Sequence, residues 1–402
     1  MALQSAERVE VKAQPERAGG PHRVLHIVDN LHRGAVENWL VRMLEHARQR
    51  GRNLDWTFFC TVEPPADLEK RAKAAGAKIV YAIAPIGQKV AFLLELRSEL
   101  RRGRYDVLHC HHDLISGVYL AASAGLRIPR RIVHVHNADE SLLTPSPLKQ
   151  WLYREPLRRA CLWMADRVVG ISHHTLDHFL RGRARRPGRD LVHYYGVDSP
   201  SLEGGAPSRA EMRRQLDLPQ KAPVLLFFGR LVPEKNPLFA VDVLAALRRR
   251  IPEAVLAFAG AGSLESEVVK RAAELGQHAH VRVLGWRSDA ASVMSACDLF
   301  ILPRPESPME GFGVAVVEAQ LAGLRLLLSL GVADDPLLSN AVVRRLPLDA
   351  GPDAWAEAAA ELLRIPATSR PDALAALRAS PMDMDRALDD LLRLHGAPTA
   401  DA

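Results

Sequence analysis

Two cations, Arg230 and Lys235, stand five positions apart in the segment FFGRLVPEKNP, Phe227 to Pro237. Apolar residues Leu225 to Phe228 run straight into Gly229, which reads as a buried strand ending at a turn. Arg230 is then expected at the carboxyl edge of a sheet, where ligands bind in open parallel sheets. Asn236 is placed to cap the next helix and Pro237 to open it. Two cations beside the positive end of a helix make an anion site, and a diphosphate has the charge and oxygens to use both. An ordinary solvated turn is the competing reading of this segment taken alone.

A second constellation is PMEGFGVAVVEAQLAG, in which Glu310 and Glu318 are eight positions apart. Glu310 precedes Gly311, Phe312 and Gly313, a turn that follows the apolar run LFILP. If a helix starts near Gly313, Glu318 falls in its second turn and Glu310 in the loop near the anion site. A carboxylate accepts two hydrogen bonds at once and so can hold vicinal sugar hydroxyls. The competing reading is a helix-face Glu in water, the fate of most Glu residues.

Histidines form a third group: His109, His111, His112, His134 and His136 fall at the ends of two strand-like segments. Histidine is a common metal ligand, but no carboxylate or Cys set completes a recognisable spacing. Alternation along a strand puts such residues on one face by period alone. The expectation is therefore no metal, with His136 as a sugar or acceptor contact and proton relay, and His109 and His111 as satisfied polar residues. FAGAG, Phe258 to Gly262, is a Gly-x-Gly after a strand, without the third glycine and ribose acid that dinucleotide binding needs. LYREPLRRACLW and RGRARRPGRD gather Arg near Trp and Tyr. They suit anionic lipid headgroups or a solvated charged face. No aromatic and basic platform for nucleic acid is present.

These residues need elements to hold them, and the chain supplies a rhythm. RVLHIVDN, LDWTFFCT, AKIVYAI, YDVLHCH, RRIVHVHN, DRVVGIS and LVHYYGV read as strands, with helical spacing between them. After the Ser, Gly and Pro-rich DSPSLEGGAPS the rhythm restarts with PVLLFFG, AVLAFAG, VRVLGW, LFILP and LRLLLSL. Continuous apolar strands alternating with helices predict parallel sheets covered on both faces. The expected fold class is α/β, with two doubly wound domains facing across a cleft. The expected boundaries are a disordered tail over 1–20, a first domain over 21–198, a linker over 199–208, a second domain over 209–380 and a last helix over 381–402. With 402 residues, 48% apolar, the chain has material for both cores. Its formal charge of +6 suits an anionic ligand or an acidic membrane surface. Four Cys, in apolar segments and without a CxxC pair, read as buried free thiols. No signal-peptide pattern or membrane-spanning run is visible, so the expected location is cytoplasmic, at most resting on the inner face of the membrane.

FFGRLVPEKN, followed about seventy-five residues later by the Glu-x7-Glu that ends in EAQLAG, resembles the retaining glycosyltransferases of family 4, the glycosyl transferases group 1. RGAVENWL resembles that family's Gly-Gly-x-Glu turn, DVLHCH its Asp-x-x-His strand, ADRVVGIS and YYGVD its following landmarks. RRIVHVHNADES with WLYREPLRRACLWMADRVVGIS resembles the branch that builds exopolysaccharide and lipopolysaccharide.

The resemblance implies the GT-B fold, two Rossmann-like domains with the donor nucleotide held mainly by the second. It implies that Arg230 and Lys235 clamp the donor diphosphate, that Glu318 holds the ribose and that Glu310, with Gly311 to Gly313, lies by the transferred sugar. Gly34 matches the loop glycine that lets backbone approach phosphate and sugar, and His136 a histidine by the donor sugar. Arg230 and Lys235 would then stabilise charge building on the leaving diphosphate more than in the ground state. No carboxylate stands out as a covalent nucleophile, and a front-face path with retention is the usual proposal for the family. The implied donor is a nucleotide-diphosphate sugar, UDP-sugar ahead of GDP-sugar, with no cofactor required. The implied acceptor is a hydroxyl on a polysaccharide, a lipid-linked glycan or a small molecule. Departures touch the loops near nucleotide and sugar: Arg33-Gly34 is followed by Ala35, Gly323 by Leu324 and Arg325, and SLGVADDP replaces a Ser-Asp stretch. A nucleotide-sugar epimerase and a catalytically silent assembly partner are the rival readings on the same scaffold.

Overall fold

The computed structural model describes residues 22–32, 34–62, 67–138, 147–198 and 207–396. The tail expected over 1–20 and the linker segment 199–206 lie outside them. The first sheet is built from β1 (Arg23–Val28), β2 (Asp55–Cys60), β3 (Lys78–Tyr81), β4 (Val107–Cys110), β5 (Arg130–Val135), β6 (Arg167–Gly170) and β7 (Asp190–Val192). The second holds β8 (Val224–Phe228), β9 (Val255–Ala259), β10 (Val281–Val283), β11 (Leu299–Leu302), β12 (Arg325–Ser329) and β13 (Val343–Leu346). Strand order is β3-β2-β1-β4-β5-β6-β7 in one and β10-β9-β8-β11-β12-β13 in the other, and β1 and β8 pair with both neighbours in parallel. Each order reverses once, between β1 and β4 and between β8 and β11, which opens a crevice at the strands' carboxyl ends.

Helices on both faces explain why the central strands carry no polar alternation. Val224 to Phe227 and Val255 to Ala259 are all buried, so both side-chain directions meet apolar cover. One apolar cluster crosses from one half of the molecule to the other. Trp39, Met43 and Tyr195 of the first half share it with Phe312, Val317 and Leu321 of the second. The final helix, Met384–His395, contributes Leu388 and Leu391 to that cluster and lies against helix Ala35–Gln49. Polar bonds pin the two helices, with His46 Nε2 at 2.7 Å from Asp385 Oδ1 and Arg50 at 2.5 Å from Asp385 Oδ2.

The strand pattern differs from expectation in two places. β13 was not anticipated: its sequence VRRL has two Arg in an edge strand that buries little, so it carries no apolar signature. LVHYYGV was expected as one strand, but β7 stops at Val192. Beyond it His193 N–H still donates to the Gly170 carbonyl of β6 at 2.9 Å, and the His193 ring stands 2.8 Å from the carbonyl of Ala387. All four Cys are buried and free. Among the described residues, no helix is long and apolar enough to cross a membrane.

Candidate active site

The turn after β8 is shaped by Gly229, whose φ of 145° excludes most side chains. Lys235 folds back across it: a Cβ on Gly229 would sit 3.2 Å from the Lys235 Cδ and 3.3 Å from its Nζ. Arg230 stands exposed at the strand end. Pro233–Lys235 makes a short 3-10 turn, and helix Pro237–Leu247 follows with Pro at its first position. The expected side-chain cap does not form. Asn236 occupies the cap position with φ 51° and ψ 52°, and its side chain makes no capping bond. The left-handed backbone points that side chain away from the first-turn amides, leaving the helix start open to an outside anion.

Glu310 reaches the same spot from the loop after β11. Its carboxylate lies 3.3 Å from Lys235 Nζ and 2.9 Å from the guanidinium of Arg304. Burial alone would push the Glu310 carboxyl up, but Lys235 and Arg304, with Arg230 behind them, outweigh it and hold the group below its ordinary value. Arg304 was not singled out from the sequence. It is 9% exposed, its Nε donates to the Pro308 carbonyl at 3.0 Å, and it shares Glu310 Oε2 with Lys235. Three cations and one carboxylate therefore converge at the β8/β11 crevice, a net positive site.

The glycines of the loop serve two close approaches. A Cβ on Gly311 would come 2.6 Å from the carbonyl oxygen of His136, so this loop presses on the first half of the molecule. Gly313, with φ 84°, precedes helix Val314–Leu321 and turns the chain into it. Phe312 between them does not face the crevice. It is 1% exposed, and its ring packs on Tyr194 and Tyr195 at centroid distances of 5.6 and 5.8 Å. Glu318 lies in the second turn of the helix and faces the first half, where Arg42 is 3.9 Å away. Burial raises the Glu318 carboxyl and Arg42 only partly offsets this.

Gly34 opens helix Ala35–Gln49, which also carries Arg42. Arg33 lies outside the described residues. The side chain of Glu37 curls over Gly34: a Cβ there would be 1.8 Å from Glu37 Oε2. Burial pushes the Glu37 carboxyl up to about 7, against a bond from its own backbone N–H and with help from the charge on Asp29.

His136 comes to the crevice with its backbone and not with its ring. Its N–H donates to Asp113 Oδ1 at 2.7 Å and its carbonyl meets Gly311. The ring is buried, with Nδ1 2.7 Å from Tyr195 Oη and Nε2 3.0 Å from His111 Nδ1. Burial, and then the neighbouring histidines, lower its value to about 3, so the ring is neutral. The structure thus brings Arg230, Lys235, Glu310 and the Gly311–Gly313 turn together. Glu318 faces the first half at Arg42, Gly34 lies in the first half under Glu37, and the His136 ring points away. Asp113 and Arg42 carry no local sequence signal for this site, because each acts on a strand or helix far away in the chain.

Two family profiles match this chain: "Glycosyl transferase 4-like domain" over residues 19–196 and "Glycosyl transferases group 1" over residues 208–370. The putative glycosyltransferase EpsF of Bacillus subtilis is 25% identical over 87% of this chain and 89% of its own length. A UDP-Gal:alpha-D-GlcNAc-diphosphoundecaprenol alpha-1,3-galactosyltransferase of Escherichia coli is 29% identical over 62% of this chain and 64% of its own length. Among solved structures, Anabaena HepE in complex with UDP superposes with a TM-score of 0.71 at 20% identity, over 92% of this chain and 98% of that one.

Proposed function

The chain belongs to the glycosyl transferases group 1, a glycosyltransferase of GT-B fold that uses a nucleotide-sugar donor; on that premise we propose that it moves a sugar, with retention of anomeric configuration, from a UDP-sugar to a hydroxyl of a polysaccharide or lipid-linked acceptor. GDP-sugar is the second donor class, and a small-molecule acceptor the second acceptor class. One observation carries the reading: Arg230, Lys235 and Arg304 converge with Glu310 at the β8/β11 crevice, beside an uncapped helix start. The UDP bound to HepE and the UDP-Gal named for the Escherichia coli relative support the choice of base.

In the proposed mechanism the donor diphosphate lies across Arg230 and Lys235. Lys235 then turns from Glu310 to the phosphate. Arg304 keeps Glu310 balanced when that happens, so the carboxylate stays ionised next to a sugar that gains positive character. Charge that builds on the leaving diphosphate meets cations already in place, which lowers the barrier more than it tightens ground-state binding. Glu318 accepts from the ribose hydroxyls, and the donor displaces Arg42 from it. Backbone amides of Gly311 to Gly313 and Gly34 line the sugar and phosphate. His136 is assigned a positioning role, through the carbonyl that abuts Gly311. No metal cofactor is needed for the transfer itself.

Membrane contact is proposed at a surface on the first half. Val90 and Leu94 of helix Lys89–Gly103, with Leu148, Leu152 and Tyr153 of helix Pro147–Met164, are exposed apolar side chains. Lys89 sits 5.1 Å over the Tyr153 ring and joins the two helices. Apolar groups rimmed by cations fit an anionic lipid surface, where each cation contributes about 1 kcal/mol. The enzymatic reading is tested by incubating the protein with UDP-glucose and UDP-galactose and a lipid-linked acceptor, and following the anomeric proton by NMR. A product with the donor's configuration is expected. A product of inverted configuration removes the retaining mechanism, and a change in the donor alone favours an epimerase.

A further inference from the structure

Below the crevice, the first sheet carries a buried histidine array on one face. His26 lies on β1, His109 on β4 with His111 just beyond it, and His134 on β5 with His136 just beyond it. His395 arrives from the end of helix Met384–His395. All six rings are 0–5% exposed. They join in two hydrogen-bonded chains. In the first, His395 Nε2 is 3.0 Å from His109 Nδ1 and His109 Nε2 is 3.1 Å from His134 Nδ1. In the second, His26 Nδ1 is 3.0 Å from His111 Nε2, His111 Nδ1 is 3.0 Å from His136 Nε2, and His136 Nδ1 is 2.7 Å from Tyr195 Oη.

A neutral imidazole has one N–H and one lone pair, so each interior nitrogen of the chains can be paired and one nitrogen is left over at each histidine that ends a chain. Among the described residues, His134 Nε2, His26 Nε2 and His395 Nδ1 have no hydrogen-bond partner, although all are buried. The indole N–H of Trp39, whose ring lies 5.5 Å from that of His134, has none either. Buried polar atoms left without partners are rare and call for an explanation.

We propose that His111, His134 and His136 form a transition-metal site of the Zn2+ class, with His111 Nδ1, His134 Nε2 and His136 Nε2 as the ligand atoms. One ring nitrogen from each lies within 4.8 Å of those of the other two. The opposite nitrogens identify which. His111 Nε2–H can donate to His26 Nδ1, His134 Nδ1–H to His109 Nε2, and His136 Nδ1–H to Tyr195 Oη. His109 Nδ1–H then donates to His395 Nε2. A single tautomer assignment satisfies all of these bonds, leaves three lone pairs for the ion and releases no proton. Each ligand has the outer partner that metal-bound histidines require. The ion also supplies the partner that His134 Nε2 lacks.

Metal–nitrogen bonds of about 2.0–2.1 Å in tetrahedral geometry set donor nitrogens about 3.3 Å apart; His111 Nδ1 and His136 Nε2 stand 3.0 Å apart, and the His134 ring closes onto the ion from within 4.8 Å. Imidazole donors without carboxylate favour zinc, copper or nickel over magnesium or calcium. The sequence grouped these histidines but showed no recognisable ligand spacing, because the three come from two strands. The ion's role is structural: it ties the ends of β4 and β5 beneath the His136 carbonyl that supports Gly311. The inference does not rest on the proposed function.

The test uses the full chain without a polyhistidine tag. Zn2+ is titrated against a chromophoric chelator, Co2+ is followed by its visible ligand-field bands, and Mg2+ serves as control. One tight equivalent of Zn2+, a four-coordinate Co2+ spectrum and a raised unfolding midpoint are expected, with no response to Mg2+. His134→Gln should abolish the tight equivalent, whereas His46→Gln, outside the array, should keep it. If His134→Gln fails to fold, Tyr195→Phe decides. It keeps the three nitrogens but removes one outer partner, and should weaken Zn2+ binding roughly 10–100-fold. No tight equivalent in the unaltered chain, or binding indifferent to both substitutions, overturns the site.

Discussion

Glu37 offers a quantitative test of how the first half of the crevice is built. The residue is 9% exposed, its carboxyl lies over Gly34 at the start of helix Ala35–Gln49, and burial raises that carboxyl from 4.5 to about 7. An acid whose folded value lies above its unfolded value binds its proton more tightly when folded. Below pH 4.5 both states are protonated and burial of the charge costs nothing. Between pH 4.5 and about 7 the unfolded chain has lost its proton, and folding is penalised progressively. Above pH 7 the penalty is complete, and at 1.36 kcal/mol per pH unit it amounts to about 3 kcal/mol. Glu37→Gln keeps the shape and cannot ionise. The stability gap between variant and parent should therefore widen in the variant's favour by about 2.5 kcal/mol between pH 5 and pH 8. Urea unfolding of both proteins at pH 5, 6, 7 and 8 reads this directly, and the histidine array cancels because both proteins carry it. Donor KM should rise through pH 7 in the parent, as an ionised Glu37 meets the diphosphate, and stay flat in the variant. A gap that is constant with pH, or that narrows toward pH 8, would refute the burial argument.

Three further outcomes concern the crevice and the apolar cluster beside it. Arg230→Ala and Lys235→Ala should each lower turnover by about 100-fold or more, the loss typical of one preorganised charge-stabilising group, with melting temperatures close to the parent; near-normal turnover in both would remove the diphosphate clamp. Arg304→Met leaves Lys235 as the cation paired with Glu310 among the described residues, with Arg230 behind it, so donor KM should rise as Lys235 is held back from the phosphate, and Arg304→Lys should restore part of the loss; kinetics against donor concentration decide. Phe312→Ala empties a buried ring from the cluster that joins the two halves and should cost about 3–5 kcal/mol in urea unfolding, while Phe312→Leu costs less.

Much of this arrangement was legible in the sequence where the signal was local. The run into Gly229 gave a strand end, so Arg230 and Lys235 could be placed at the crevice, and the turn at Gly313 put Glu318 in the helix's second turn. Signals that depend on distant partners were not legible. Arg304 looks like any loop cation until Glu310 is seen beside it. Asn236 has the right type for a cap, yet its left-handed backbone, imposed by the tight turn after Val232, prevents the bond. Phe312 sits in a loop motif, but the approach of Tyr194 and Tyr195 makes it a core residue. Period-two spacing placed the histidines on one face correctly, but it gave no sign that His395, some 260 residues beyond His136, would complete the array.

The central claim is that the β8/β11 crevice holds a diphosphate, and the most direct test compares UDP with UMP. Calorimetric affinities would be measured for the unaltered chain and for Arg230→Ala. UDP is expected to bind more tightly than UMP to the unaltered chain, and the substitution to reduce this preference while leaving UMP binding nearly unchanged. Equal affinity for UDP and UMP in the unaltered chain, or an undiminished preference for UDP in Arg230→Ala, would contradict it.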